Sequence, residues 1–253
     1  MRFCVSIILI NIFPPSDSRA KYYIYIGHLS KPRFTALVII LSCANSDFSE
    51  LAEGIGKGET IVFPTDTVYG LGSSPRSERG VQRCFEIKGR VESKPMPVLF
   101  SYKNDVAKYV AMDSRALCLA DGFWPGALTM ILPLLEGINL PRKIIGQRGS
   151  LAVRIPRHEC CLRLIRACGG ALIGTSANVS GQAPFLDADD HALSRFASNA
   201  TYFVKGKCGK RRIPSTIIDL TSGEARFDRE GAVAKKDILS YLEKASKTDS
   251  SSR

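Results

Sequence analysis

The sequence predicts an α/β fold, and three observations carry that expectation. Apolar residues make up 45% of the 253-residue chain and charged ones 23%, the balance of a soluble protein with a full hydrophobic core. From Phe48 onward, short β-branched or apolar runs alternate with stretches whose apolar residues recur at helical spacing, the pattern of helices packed on a twisted sheet. No internal repeat or low-complexity linker breaks the alternation.

Taken in order, FSELAEGIGKG reads as a helix closing on glycines, and TIVFP as a strand stopped by Pro64. Further strands are expected at 97–100, 128–132, 151–154, 171–174, 201–204 and 215–219. Helical spacing marks 79–88, 115–123, 160–168, 186–197 and 236–247, and the polar end KTDSSSR is expected to fray. The chain thus divides into an extension over 1–45, an organised body over 46–240 and a tail over 241–253.

The extension holds two apolar runs, VSIILINIF and TALVIIL, both shorter than the roughly 20 residues a membrane-spanning helix needs. No A-x-A-like cleavage site follows the first run cleanly, which argues against export. A segment added outside the domain is the other reading. The net charge of +11 is reduced only to +7 without this extension. A basic body attracts polyanions, nucleotide and RNA alike.

Eight cysteines form no C-x-x-C pair, which argues against zinc. Most lie in apolar runs such as CFEI and ALCLA, where a reduced cysteine packs as a small core residue. A reducing cytoplasm is the expected location.

Three constellations could carry chemistry. PTDTVYGLG, residues 64–72, brings hydroxyls, an acid and two glycines to the end of a strand, where a ligand crevice or an ordinary turn can form. KGRVESKP, residues 88–95, gathers Lys88, Arg90 and Lys94 after a helix, a set able to surround a triphosphate or to stand as a solvated loop. ALIGTSANVSG, residues 171–181, opens a buried-looking strand into Ser176, Asn178 and Ser180, donors to a phosphate or ribose, or a cap for a helix. Arg154 in SLAVRIP suits a carboxylate or a surface ion pair, and PSTIIDL and Arg229 in REG complete the set. Trp124 in FWPGALT reads as core, and His28, His158 and His191 form no ligand-like group. No Walker A loop, G-x-G-x-x-G or Ser-His-Asp order is present.

In this order, PTDTVYGLG, KGR with KP, WPGALT, SLAVRIP, TSANVSG, PSTI and REG resemble the YrdC family of threonylcarbamoyl-AMP synthases, from about Phe48 to Val233. The resemblance implies a single YrdC-like domain, a mixed sheet with helices around it and a concave basic groove. It implies that ATP, L-threonine and bicarbonate give threonylcarbamoyl-AMP and pyrophosphate, with Mg²⁺ accompanying the ATP and no metal ligand from side chains. The nucleotide-holding catalytic set then falls on Lys88, Arg90, Ser176 and Asn178, with Lys94, Ser150 and Arg229 as further ATP contacts. Thr67, Arg154, Gly174 and Ser215 fall on the threonine side. The implied partners are a downstream threonylcarbamoyl transferase complex that modifies tRNA, and a direct contact with tRNA or double-stranded RNA, with no membrane. Many relatives carry Glu where Asp66 stands and some carry His where Leu99 stands. The rival reading is a double-stranded RNA or tRNA binding module without catalysis. A second rival, the YrdC-like part of a hydrogenase maturation factor, would bring zinc-finger cysteines that this sequence lacks.

Overall fold

The triplet Ile61, Val62 and Phe63 is buried on both faces, as a central strand requires, and becomes β4 (Ile61–Phe63). This and the other elements come from a computed structural model that describes residues 6–11, 21–27, 36–44, 47–89, 95–210 and 212–250. β4 pairs antiparallel with β5 (Gly70–Gly72), which pairs antiparallel with β10 (Thr175–Ser176). On its other side β4 runs parallel to β11 (Tyr202–Lys205), and β11 runs parallel to β3 (Ala36–Ser42). β1 (Ser6–Asn11) and β2 (Lys21–Gly27) extend that sheet antiparallel beyond β3, giving the order β1-β2-β3-β11-β4-β5-β10.

A second sheet has the order β13-β12-β7-β8-β6-β9, built from β6 (Val98–Phe100), β7 (Leu128–Pro133), β8 (Ser150–Arg154), β9 (Ala171–Ile173), β12 (Thr216–Asp219) and β13 (Arg226–Arg229). Both sheets mix parallel and antiparallel pairs, so the α/β class holds with its strands divided between two sheets. The chain passes from one to the other at Gly174, between β9 and β10. A Cβ there would lie 2.3 Å from Leu99 Cδ1, so any other residue would have to displace the Leu99 side chain of β6.

Seven helices pack around the sheets among the described residues: α1 (Ser49–Gly56), α2 (Glu78–Lys88), α3 (Lys103–Val106), α4 (Ser114–Phe123), α5 (Glu159–Ala167), α6 (His191–Ala197) and α7 (Lys235–Ser250). The Ser77 hydroxyl accepts from Gly80 N at the start of α2, and Gly89 ends it in the left-handed region at φ 56°. His158 caps α5, its Nδ1 accepting from Cys161 N at 3.2 Å, so this histidine has a structural task. Trp124 is core, as expected, with Nε1 donating to Leu128 O at 2.7 Å.

Two expectations about helices give way. The helix read over 186–197 is confined to α6, because Asp187 and Asp190 carboxylates accept from Asp189 N and Ala192 N and hold the preceding residues in a turn. The end expected to fray from Lys247 stays helical through Ser250, with no Gly or Pro to stop it.

The main core joins Val62, Tyr69, Phe100, Met130 and Ile218 from both sheets. A smaller cluster lies where α1 and α5 meet, around Leu51, Phe63, Ile165 and Leu172. Beside it, Cys43 and Cys160 are joined in a disulfide that spans 117 residues of sequence. That bond departs from the expectation of reduced cysteines throughout: β3 beside β11 delivers Cys43 to the start of α5, a pairing that sequence spacing does not reveal. Cys84 and Cys168 stay free, and burial pushes both thiols up to about 12, as suits core packing.

Candidate functional site

A cleft of about 620 Å³ opens between the two sheets. From the first sheet side it is lined by Thr67 and Ser176, and from the second by Ser150, Arg154, Ser215 and Arg229; Gly174 lines it at the crossing. Seven of the sequence-predicted residues therefore share one space. Arg90 and Lys94 lie outside the described residues.

Lys88 and Asn178 sit just behind the lining. The three N–H groups of the Lys88 ammonium are shared among four oxygens, Ser176 O at 2.5 Å, Ser176 Oγ at 3.2 Å, Asn178 O at 3.1 Å and Asn178 Oδ1 at 2.9 Å. Ser180 N returns a bond to Lys88 O at 2.9 Å. The end of α2 is thereby fastened to the TSAN turn, two motifs that each had an innocuous reading alone. Lys88 is 3% exposed, so its charge is held by oxygens instead of water.

Arg154 stands at the end of β8 with its guanidinium fixed at three points. Nη2 donates to Asp66 Oδ1 at 2.5 Å, Nη1 to Thr67 Oγ1 at 3.3 Å and Nε to Gly126 O at 2.9 Å. Both charged partners are over 90% buried. The ion pair is therefore an interior one, which the sequence does not suggest, and not the surface pair that is one of the two readings of Arg154.

Ser215 precedes β12, where its Oγ shares a 2.8 Å hydrogen bond with Thr129 Oγ1 on β7. Arg229, closing β13, donates to Ser215 O through Nε at 3.0 Å and Nη2 at 2.8 Å. Burial, and secondarily the Arg154 charge, lowers the Arg229 guanidinium from its usual value. Two cations held this close and partly out of water favour an anionic ligand. Ser150 Oγ donates to Gln147 O at 2.8 Å and pins the loop that brings Arg148 to the cleft.

Sequence reading missed the partners. Asp66 is legible as the acid of its motif, where many relatives carry Glu, but without a partner, Thr129 sat unremarked in WPGALT, and the Gly126 carbonyl carries no side-chain signal. Arg148, at φ 57°, follows Gly146 and precedes Gly149, and that glycine pair was the one hint of a tight loop.

Thr129→Val is nearly isosteric and removes only the hydroxyl that meets Ser215. Thr129 is 1% exposed, so the expected loss is about 1 kcal/mol, or roughly 2–4 °C in Tm for a domain of this size. A calorimetric melt unchanged from the parent would count against that bond.

Compared with known proteins, residues 53–231 match the Sua5, YciO and YrdC family model, described as "Telomere recombination". Threonylcarbamoyl-AMP synthase of Pyrococcus abyssi (strain GE5 / Orsay) is 35% identical over 185 residues, covering 73% of this chain and 54% of that protein. The chain thus spans about half the length of that relative. Threonylcarbamoyl-AMP synthase of Pseudoalteromonas translucida (strain TAC 125) is 35% identical over 187 residues, covering 71% of this chain and 97% of that protein. The crystal structure of P. abyssi Sua5 complexed with L-threonine superposes with a TM-score of 0.73 at 31% identity, over 81% of this chain and 61% of that one. Escherichia coli YciO, at 23% identity and a TM-score of 0.70 over 81% of this chain and 99% of its own, shares the fold.

Proposed function

Since this chain belongs to the Sua5/YciO/YrdC family, we propose that it is an L-threonylcarbamoyladenylate synthase, making threonylcarbamoyl-AMP and pyrophosphate from ATP, L-threonine and bicarbonate. The observation that carries this reading is the convergence in one cleft of a buried guanidinium, Arg154 with Thr67, and a lysine-held serine turn, Ser176 with Asn178.

In this reading threonine and bicarbonate condense with loss of water to N-carboxythreonine. Its carbamate oxygen attacks the α-phosphorus of ATP, and the bond to pyrophosphate breaks as the new P–O bond forms. Such a transfer depends on in-line placement and charge neutralisation and needs no covalent nucleophile. Arg154, with Thr67 and Ser215, holds the threonine end, which Gly174 also lines. Lys88 keeps Ser176 and Asn178 turned toward the nucleotide, while Ser150 and Arg229, with Arg90 and Lys94, meet the phosphates.

The cleft lining sets Arg148, Arg154, Arg226 and Arg229 against Asp219 and Asp228, and Asp219 is already engaged by Thr221 and Arg226. That donor set suits phosphate oxygens, and Mg²⁺, which keeps water and phosphate ligands, would enter on the ATP and spread its negative charge.

A double-stranded RNA binder would need exposed cations along a backbone track, whereas Arg154 is 6% exposed and lines the cleft between the sheets. The product would pass to a threonylcarbamoyl transferase complex acting on tRNA, and direct tRNA contact belongs to the same reading, as does a cytoplasmic location. No helix among the described residues is long and apolar enough to cross a membrane.

The decisive assay follows pyrophosphate from the protein with ATP, Mg²⁺ and bicarbonate. Release is expected to depend on threonine and bicarbonate together, and to fall when serine replaces threonine. Release indifferent to threonine would end the synthase reading.

A further inference from the structure

Arg154 must present its remaining donors in one orientation, and the surrounding residues divide that task unequally. A guanidinium has five N–H groups. Gly126 O takes the one on Nε, Thr67 Oγ1 takes one on Nη1 at a long 3.3 Å, and Asp66 Oδ1 takes one on Nη2 at 2.5 Å. One N–H is left on each terminal nitrogen, enough for the two oxygens of a carboxylate ligand. Of the three partners only Asp66 is charged, and it is the shortest contact.

Asp66 is itself held from behind. The segment after β11 passes so close that a Cβ on Gly209 would lie 2.2 Å from Asp66 O and 2.8 Å from Asp66 Cα. Gly209 N donates to Thr65 O at 2.9 Å. A side chain at position 209 would meet backbone, which has no cheap way to yield, so the residue there governs where Asp66 sits.

We propose that Asp66, backed by Gly209, is the positioning residue that aims Arg154 at the carboxylate of the amino-acid substrate. This rests on the synthase reading for the identity of that substrate. The role predicts a selective defect: with Arg154 misaimed, the amino acid binds poorly, while the nucleotide half around Lys88 is untouched.

The test compares Asp66→Asn, Asp66→Glu and Gly209→Ala with the parent. Threonine binding is measured by calorimetry, KM for threonine and for ATP by pyrophosphate release, and folding by thermal melt. Asp66→Asn, which keeps shape and removes charge, is expected to weaken threonine binding and raise its KM about tenfold, leaving KM for ATP within about twofold. Gly209→Ala, which alters no cleft side chain, is expected to raise KM for threonine in the same selective way. Asp66→Glu, with the charge restored, is expected to recover most of the loss. Threonine binding within twofold of the parent in both Asp66→Asn and Gly209→Ala would overturn the proposal, as would equal losses for threonine and ATP. If Asp66→Asn does not fold, Gly209→Ala and Asp66→Glu still decide it. A parent that binds threonine but releases no pyrophosphate would overturn the synthase reading alone, and the calorimetric comparison would still judge Asp66.

Discussion

Arg154→Met is expected to lower kcat/KM for threonine roughly 100-fold and to cost about 3–5 kcal/mol of stability. The two losses have separate origins. Methionine fills much of the same space but leaves the Asp66 carboxylate buried without its cation, and stranding one member of an interior ion pair costs that much. The exposed pair Lys57–Glu53, whose side chains are both 69% exposed, would cost at most about 1 kcal/mol for a comparable change. The kinetic loss comes from charge-assisted hydrogen bonds to the substrate, each about 1.5–3 kcal/mol, with each 1.36 kcal/mol worth a factor of ten. Denaturant unfolding and steady-state kinetics check the two arms. A variant that lost ATP affinity and kept threonine affinity would place Arg154 in the wrong half of the site.

Lys88→Met is expected to destabilise the protein by about 3 kcal/mol and to abolish measurable nucleotide binding. The ammonium satisfies Asn178 O and Asn178 Oδ1 while buried and shares Ser176 O with Asn178 N, and each acceptor left unpaired costs about 1–3 kcal/mol, less than additively. Lys88→Arg should fail to rescue, because a planar fork cannot reach four oxygens that converge on a point charge. Nucleotide titration with a melt would check it; a folded Lys88→Met protein that binds ATP normally would refute the role.

Much of this was legible from the chain. Motifs near strand ends gave the candidate residues, and the structure gathers most of those it describes around one cleft. What could not be read was partnership. Asp66 meets Arg154 across 88 residues and Thr129 meets Ser215 across 86, separations at which no local periodicity operates. The Gly126 carbonyl belongs to the backbone and has no letter of its own. Secondary structure failed where side chains competed with it: of the aspartates before α6, Asp187 spends its oxygen on the turn amide of Asp189, and Asp190 caps the helix by accepting from Ala192 N, so the helix starts after them.

Residues 36–42 looked dispensable in sequence, yet they flank β11, with Ile39 N donating to Thr201 O and Cys43 N to Lys205 O. Stripped of that neighbour, Tyr202–Lys205 would end the sheet as an open row of amides and carbonyls beside Phe203 and Val204, side chains the intact protein buries. Open edges of that kind recruit other chains. The strand before Cys43 therefore bears on colloidal behaviour: its removal is expected to leave β11 as an open edge and to favour self-association, which light scattering of the shortened protein would detect.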